Sequence, residues 1–140
     1  MDNKDIRIIK KIIEHLKSIL EVTRDINDAE AFKNTNDKSK AAMFDLLQIG
    51  ELAQNGLSKN LLDEMNNIPW KEIYALRNRI VHGYSSVDYL IIWETIQNDI
   101  PELYEDLSDI VAANEAIEEY YASGCKSIPF EEVEKEINML

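Results

Sequence analysis

The sequence predicts an all-α protein, an antiparallel helical bundle with an extra C-terminal amphipathic helical tail. Three observations carry that prediction. The 140 residues include only four Gly and three Pro, too few for the many tight turns of an all-β fold. Helix-compatible Leu, Ile, Glu, Lys and Ala dominate the composition. Apolar residues also recur at helical spacing in several long stretches. The length suits one domain with a single core. Residues 1–124 are expected to form the bundle and residues 125–140 a helical appendage of the same domain.

From about Asp5 to Thr23, Ile6, Ile9, Ile12, Ile13, Leu16, Ile19 and Leu20 define one apolar face with charges opposite, the pattern of an amphipathic helix. The polar stretch Asn27 to Lys38, containing Asn34-Thr35-Asn36-Asp37, reads as a loop into which Ala29, Ala31 and Phe32 could extend a helix. A second helix is expected from about Ser39 to Gln54, built on Ala42, Met43, Leu46, Leu47, Ile49, Leu52 and Ala53, with Gly56 as its stop. Leu61 to Met65 reads as a helical turn. Pro69 opens a third helix, where a missing N–H costs nothing. Trp70, Ile73, Leu76, Ile80 and Val81 keep its period, and Gly83 ends it. Ser85 and Asp88 stand at the offset of a capping box before a fourth helix through Leu90, Ile91, Trp93 and Ile96. Pro101 either kinks that helix or starts another, carried by Leu103, Leu107, Ile110, Val111 and Ile117 to Ser123-Gly124. A last amphipathic piece runs from Pro129 to Leu140.

Charge narrows the function classes. The net charge is −12, which by itself argues against a nucleic-acid partner. The acids are concentrated, however: residues 102–140 hold eleven Asp/Glu against two Lys. Between Trp70 and Ile92, three bases (Lys71, Arg77, Arg79) outnumber two acids (Glu72, Asp88). The N-terminal stretch mixes apolar and charged residues and does not read as a signal peptide, and no run of about 18 apolar residues suggests a membrane span. The single cysteine, Cys125, has no internal disulfide partner. A cytoplasmic location is the expectation.

The chemistry concentrates in Arg77-Asn78-Arg79-Ile80-Val81-His82-Gly83-Tyr84. The chain supplies no Cys/His cluster suited to zinc and no glycine-rich phosphate loop, so no metal and no cofactor are expected. Imidazole, which ordinarily titrates near neutrality, is the natural acid–base group, and the motif's imidazole is His82. Arg77 offers a guanidinium that can bind a phosphate through two parallel hydrogen bonds. On a continuous helix, at about 100° per residue, Arg77 and His82 stand about 140° apart, whereas Asn78 and His82 share a face. Two arrangements could converge them: a loop-borne His82 turning inward, or a two-fold dimer placing two copies of the segment across a cleft.

Further pieces surround this segment: Ile49-Gly50-Glu51, Leu57-Ser58, Ile68-Pro69-Trp70-Lys71-Glu72-Ile73, Val87-Asp88, Trp93 and Ile100-Pro101-Glu102-Leu103. Together with residues 77–84 they resemble the HepT-like (DUF86) branch of HEPN-domain proteins, over roughly Asp5 to Leu107. The resemblance implies a four- to five-helix bundle that forms a homodimer, with the motif helices lining a cleft. It implies a metal-independent endoribonuclease acting on RNA as the toxin of a toxin–antitoxin pair. Arg77 and His82 would be the catalytic pair, with Asn78 orienting the site. The implied partner is a minimal nucleotidyltransferase (MntA-like) antitoxin that attaches AMP to Tyr84. The acidic C-terminal helix and the tail from Ile128 lie outside the resemblance.

Plainer roles compete with these. Arg77 and His82 could form a capping and packing cluster, Asn78 could hydrogen-bond between helices, and Tyr84 could be a loop tyrosine. Arg79 reads as a solvent-facing or phosphate-steering charge. Glu51 reads as an ordinary charged helix residue, the alternative being a pair with a motif arginine across the bundle. Trp70 and Trp93 fall on apolar stripes and are expected in the core or a dimer interface rather than as base-stacking platforms. His15 and Cys125 read as incidental, and the acids after Pro101 as a solvated face. The alternative function is a non-catalytic helical module that docks a nucleotidyltransferase, and a purely structural interaction protein is a third.

Overall fold

The structure is a computed structural model that describes residues 1–83 and 87–124. The expected tail helix from Pro129 to Leu140, the 125–140 appendage, Cys125, Tyr84 and Ser85 lie outside the described residues. Seven α-helices and no strand occur among those described. The first, α1 (Asn3–Val22), is N-capped by Asp2, whose carboxylate accepts the Asp5 N–H at 2.7 Å. Its residues Ile9, Ile12, Leu16 and Ile19 have no exposed surface. That 3-4-3 spacing is the stripe the sequence predicts, and each such side chain contributes roughly 1.5–3 kcal/mol of burial.

The stretch from Asn27 to Lys38, read as a loop that Ala29, Ala31 and Phe32 could carry into a helix, is mostly helical. Asp28 caps a short helix, α2 (Ala29–Asn34), by accepting the Ala31 N–H at 2.8 Å. Phe32 holds it down, fully buried, with its ring 5.5 Å from Trp93 and 6.1 Å from Tyr89. The next helix, α3 (Asn36–Gly56), starts earlier than its apolar face suggests. Its first turn is polar, yet Ser39 is completely buried, its hydroxyl donating to the Asn36 carbonyl at 3.2 Å. Local polarity therefore misleads here, because capping and one aromatic anchor outweigh it.

Helix α4 (Lys59–Glu64) takes the place of the helical turn expected around Leu61. Its N-cap, Ser58, is held by buried Asp5 of α1, which accepts the Ser58 N–H at 2.9 Å and the Ser58 hydroxyl at 2.7 Å. The motif helix, α5 (Trp70–His82), has Pro69 at its N-cap and Gly83 at its C-cap. Helix α6 (Tyr89–Asn98) corrects the capping-box reading: Asp88 is itself the N-cap, its carboxylate accepting the Leu90 N–H at 3.0 Å. Pro101 starts a helix rather than kinking one, standing at the beginning of α7 (Ile100–Ala122). Gly124, at φ 86°, follows the cap of α7 in the left-handed region that glycine adopts freely.

Packing around the core decides where the site lies. Helix α1 packs on α3 and α7, α3 on α5, and α6 on α2 and α7, while α5 barely touches α6. The flank of α5 away from α3 therefore stays open. Trp70 and Trp93 are both buried, as their stripes predict, and the Trp70 indole N–H donates to the Met65 carbonyl at 3.0 Å. His15 is not incidental: its Nδ1 lies 2.8 Å from an oxygen of Asp45, joining α1 to α3. Most acids of α7 are exposed, as a solvated face requires, and Glu115 pairs with Lys10 of α1 at 3.2 Å.

Candidate active site

The site is built on the last two turns of α5, whose near side crosses α3 at Gly50. A Cβ at Gly50 would stand 2.4 Å from the Arg77 Cβ and 2.7 Å from its Cγ. The missing side chain is what lets the Arg77 stem lie against the α3 backbone. Beyond the stem, Nη2 of Arg77 donates to Oε2 of Glu51 at 2.6 Å, and Nη1 donates to Oδ1 of Asn78 at 3.0 Å. The other Glu51 oxygen accepts from Asn55 Nδ2 at 2.7 Å. Glu51 is thus not an ordinary surface acid but the ion-pair partner of the motif arginine. A guanidinium has five N–H donors, so one on each terminal nitrogen stays uncommitted among the described residues.

The other face of the motif opens into a groove of ≈ 520 Å³ between α5 and the start of α6, lined by Asn78, Arg79, His82, Gly83, Val87, Asp88 and neighbouring apolar residues. A second cavity of ≈ 350 Å³ adjoins it deeper between α3, α5, α6 and α7, and the two share Ala75, Leu76, Arg79 and Ile91. His82 is exposed at the end of α5, and its ring makes no hydrogen bond among the described residues. Asp88 presents a carboxylate to the same groove while capping α6.

The structure therefore brings Asn78, Arg79 and His82 to one groove and sends Arg77 toward α3. This is the division that helical geometry requires, since residues four apart share a face and residues five apart do not. Asn78 belongs to both sides, accepting from Arg77 while lining the groove of His82. One turn before Arg77, the Tyr74 hydroxyl is buried without a hydrogen-bond partner among the described residues, as is Nε of Arg77 itself. Burial pushes the Tyr74 phenol above its ordinary value of 10.0. Among the described residues, no group of three or more His, Cys, Asp or Glu is placed to hold a metal ion.

A family model described as ribonuclease HepT-like matches residues 12–110. The chain belongs to the HepT-like family. A protein of Methanocaldococcus jannaschii named "Putative RNase" is 30% identical over 112 residues, covering 79% of this chain and 91% of its own. A protein of the same name from Caldanaerobacter subterraneus subsp. tengcongensis is 33% identical over 103 residues, covering 74% and 90%. A "Probable ribonuclease HepT" of Thermococcus cleftensis is 28% identical over 95 residues, covering 68% and 84%. No solved structure matches the chain significantly.

The HepT-like match takes in α3 and α5, with Gly50, Glu51 and the whole 77–84 segment, and stops within α7. Tyr84 falls inside the match but outside the described residues. The sequence singles out Arg77, Asn78 and His82, offers Glu51 only as an alternative arginine partner, and marks neither Gly50 nor Asp88 as part of the site. A glycine in the middle of an apolar helix was the available signal, because glycine there weakens the helix and calls for a reason such as close approach.

Proposed function

We propose that this HepT-like chain is a metal-independent endoribonuclease and the toxin of a toxin–antitoxin pair. Its catalytic pair is Arg77 and His82, at the cleft of a homodimer. The observation that carries the reading is Asn78, which ties the Arg77 guanidinium to the groove that His82 lines. The ribose 2′-OH attacks the adjacent phosphorus, forming a cyclic phosphate as the P–O bond to the next 5′-oxygen breaks. His82 transfers the proton, and Arg77 holds the charge that develops on the non-bridging oxygens. That step consumes no water, since the nucleophile is already part of the substrate.

A second copy suits the open flank. Ile91 is an exposed apolar side chain that lines the motif groove, with exposed Leu90 beside it in sequence, and burying them between two protomers would bring two motif segments together. The local bases Lys71, Arg77 and Arg79 suit an RNA backbone despite the acidity of the chain as a whole. A minimal nucleotidyltransferase antitoxin would silence the site at Tyr84. The tyrosine oxygen attacks the α-phosphorus of ATP, pyrophosphate leaves, the phenolic proton is lost, and AMP remains as a phosphodiester. The added negative charge and bulk then oppose an RNA phosphate at the same place.

Cellular RNA incubated with the purified protein in EDTA tests the nuclease. Cleavage should be seen with the wild type and fall about 10²–10⁴-fold in Arg77→Ala and His82→Ala. Undiminished cleavage in both variants sinks the active-site assignment, and none by the wild type favours a non-catalytic module. Intact-mass analysis after treatment with the nucleotidyltransferase and ATP tests the modification, whose AMP increments should vanish in Tyr84→Phe.

A further inference from the structure

The ion pair between α3 and α5 has an unusual construction for a half-exposed contact. The Arg77 side chain is 24% exposed and that of Glu51 44%, so the pair adds little to stability. Yet α3 gives up a side chain at Gly50 to admit the arginine stem, although glycine inside a helix is unfavourable. The next residue then supplies the carboxylate that meets the guanidinium. That carboxylate is itself oriented one turn further on by Asn55, and the arginine's other terminal nitrogen is taken by Asn78. A continuous chain of hydrogen bonds thus runs Asn55, Glu51, Arg77, Asn78, and its last member lines the groove of His82. A long arginine side chain would otherwise sample many rotamers.

We propose that Gly50 and Glu51 are positioning residues that hold the Arg77 guanidinium in one orientation toward an RNA phosphate, an inference that rests on the reading of Arg77 as the phosphate-stabilising residue. Gly50 sets where the stem crosses α3. Glu51 sets the direction of the head and leaves one N–H on each terminal nitrogen for the substrate. The carboxylate also opposes the phosphate electrostatically, so its two effects separate on substitution. Glu51→Ala releases the guanidinium and lowers kcat. Glu51→Gln keeps an oxygen acceptor for Nη2, preserves kcat, and tightens RNA binding by removing a negative charge.

Two measurements on the full chain test this. The first is cleavage kinetics on a mixed-sequence oligoribonucleotide carrying a fluorophore and a quencher. The second is NMR of the Arg77 guanidinium, assigned by its loss in Arg77→Lys. Glu51→Ala should lower kcat about 10–100-fold, since groups that orient a reacting residue act on the chemical step, while on KM the lost negative charge and the lost orientation act in opposite directions and largely offset. Glu51→Gln should stay within about threefold of wild-type kcat with a lower KM. Rotation of the Arg77 terminal nitrogens should be slow in the wild type and Glu51→Gln, and fast in Glu51→Ala. Gly50→Ala should shift the Arg77 signals and lower kcat with Glu51 intact. Unchanged kcat and Arg77 signals in Glu51→Ala, beside an inactive Arg77→Ala, overturn the positioning role and leave the ribonuclease reading standing. Released Arg77 signals in Glu51→Ala, in a protein that cleaves no RNA, overturn the ribonuclease reading instead and leave the clamp on Arg77 standing.

Discussion

Gly50→Ala sets two opposed effects against each other, and the structure decides the sign. Alanine in a helix interior is favoured over glycine by about 1 kcal/mol, which would stabilise α3. The added Cβ, however, would stand 2.4 Å from the Arg77 Cβ. Ordinary carbon–carbon contact is about 3.5–4.0 Å, so the overlap exceeds about 1 Å. The atom struck is bonded to the α5 backbone and cannot swing aside as a side-chain tip would. The α3–α5 crossing must open, at the upper end of the roughly 1–3 kcal/mol typical of overpacking. The net effect is a loss of about 1–2 kcal/mol, which for a domain of this size lowers Tm by roughly 3–8 °C. Thermal denaturation followed by circular dichroism reads the shift. A double-mutant cycle sharpens it: in an Arg77→Gly background the obstacle is gone, and Gly50→Ala should raise stability by up to about 1 kcal/mol. A raised Tm for Gly50→Ala alone, or the same effect in both backgrounds, would refute the close-approach argument.

Asp5→Ala should destabilise the protein by about 1–2 kcal/mol in urea titration, because it removes a buried acceptor and leaves the half-buried Ser58 N–H and hydroxyl donors without it. Asp5→Asn, which keeps one acceptor oxygen in place, should lose less. Tyr74→Phe removes a buried hydroxyl that has no partner among the described residues and should be neutral or stabilising by up to about 1 kcal/mol in the same titration. Because burial raises the Tyr74 phenol above 10.0, the folded state keeps its proton where the unfolded chain has lost it. Its effect on stability is therefore nil below about pH 10 and unfavourable as pH rises beyond. Tyr74→Phe should flatten that alkaline decline, and a parallel decline in both proteins would count against the buried hydroxyl as its source.

The sequence by itself determined the fold class, because helical periodicity is a local property. Ile9, Ile12, Leu16 and Ile19 repeat at 3-4-3 and are buried on one face whatever they meet. Pro69 bounded the start of the motif helix for an equally local reason, its missing N–H, and Gly83 caps the other end. The separation of Arg77 from His82 was also legible, since it follows from about 100° per residue. Helix α2 was legible only as an option carried by Ala29, Ala31 and Phe32, because a polar segment became a separate helix through an Asp28 cap and a Phe32 anchor whose partners, Tyr89 and Trp93, lie on α6. The same limit hid the pairing of His15 with Asp45. Only tertiary structure decided what Arg77 meets. Its partner Glu51 stands 26 residues away in sequence, and nothing local to either residue specifies the other. The crossing of α3 and α5 at a residue without a side chain brings the two together, and that distance is a property of packed helices.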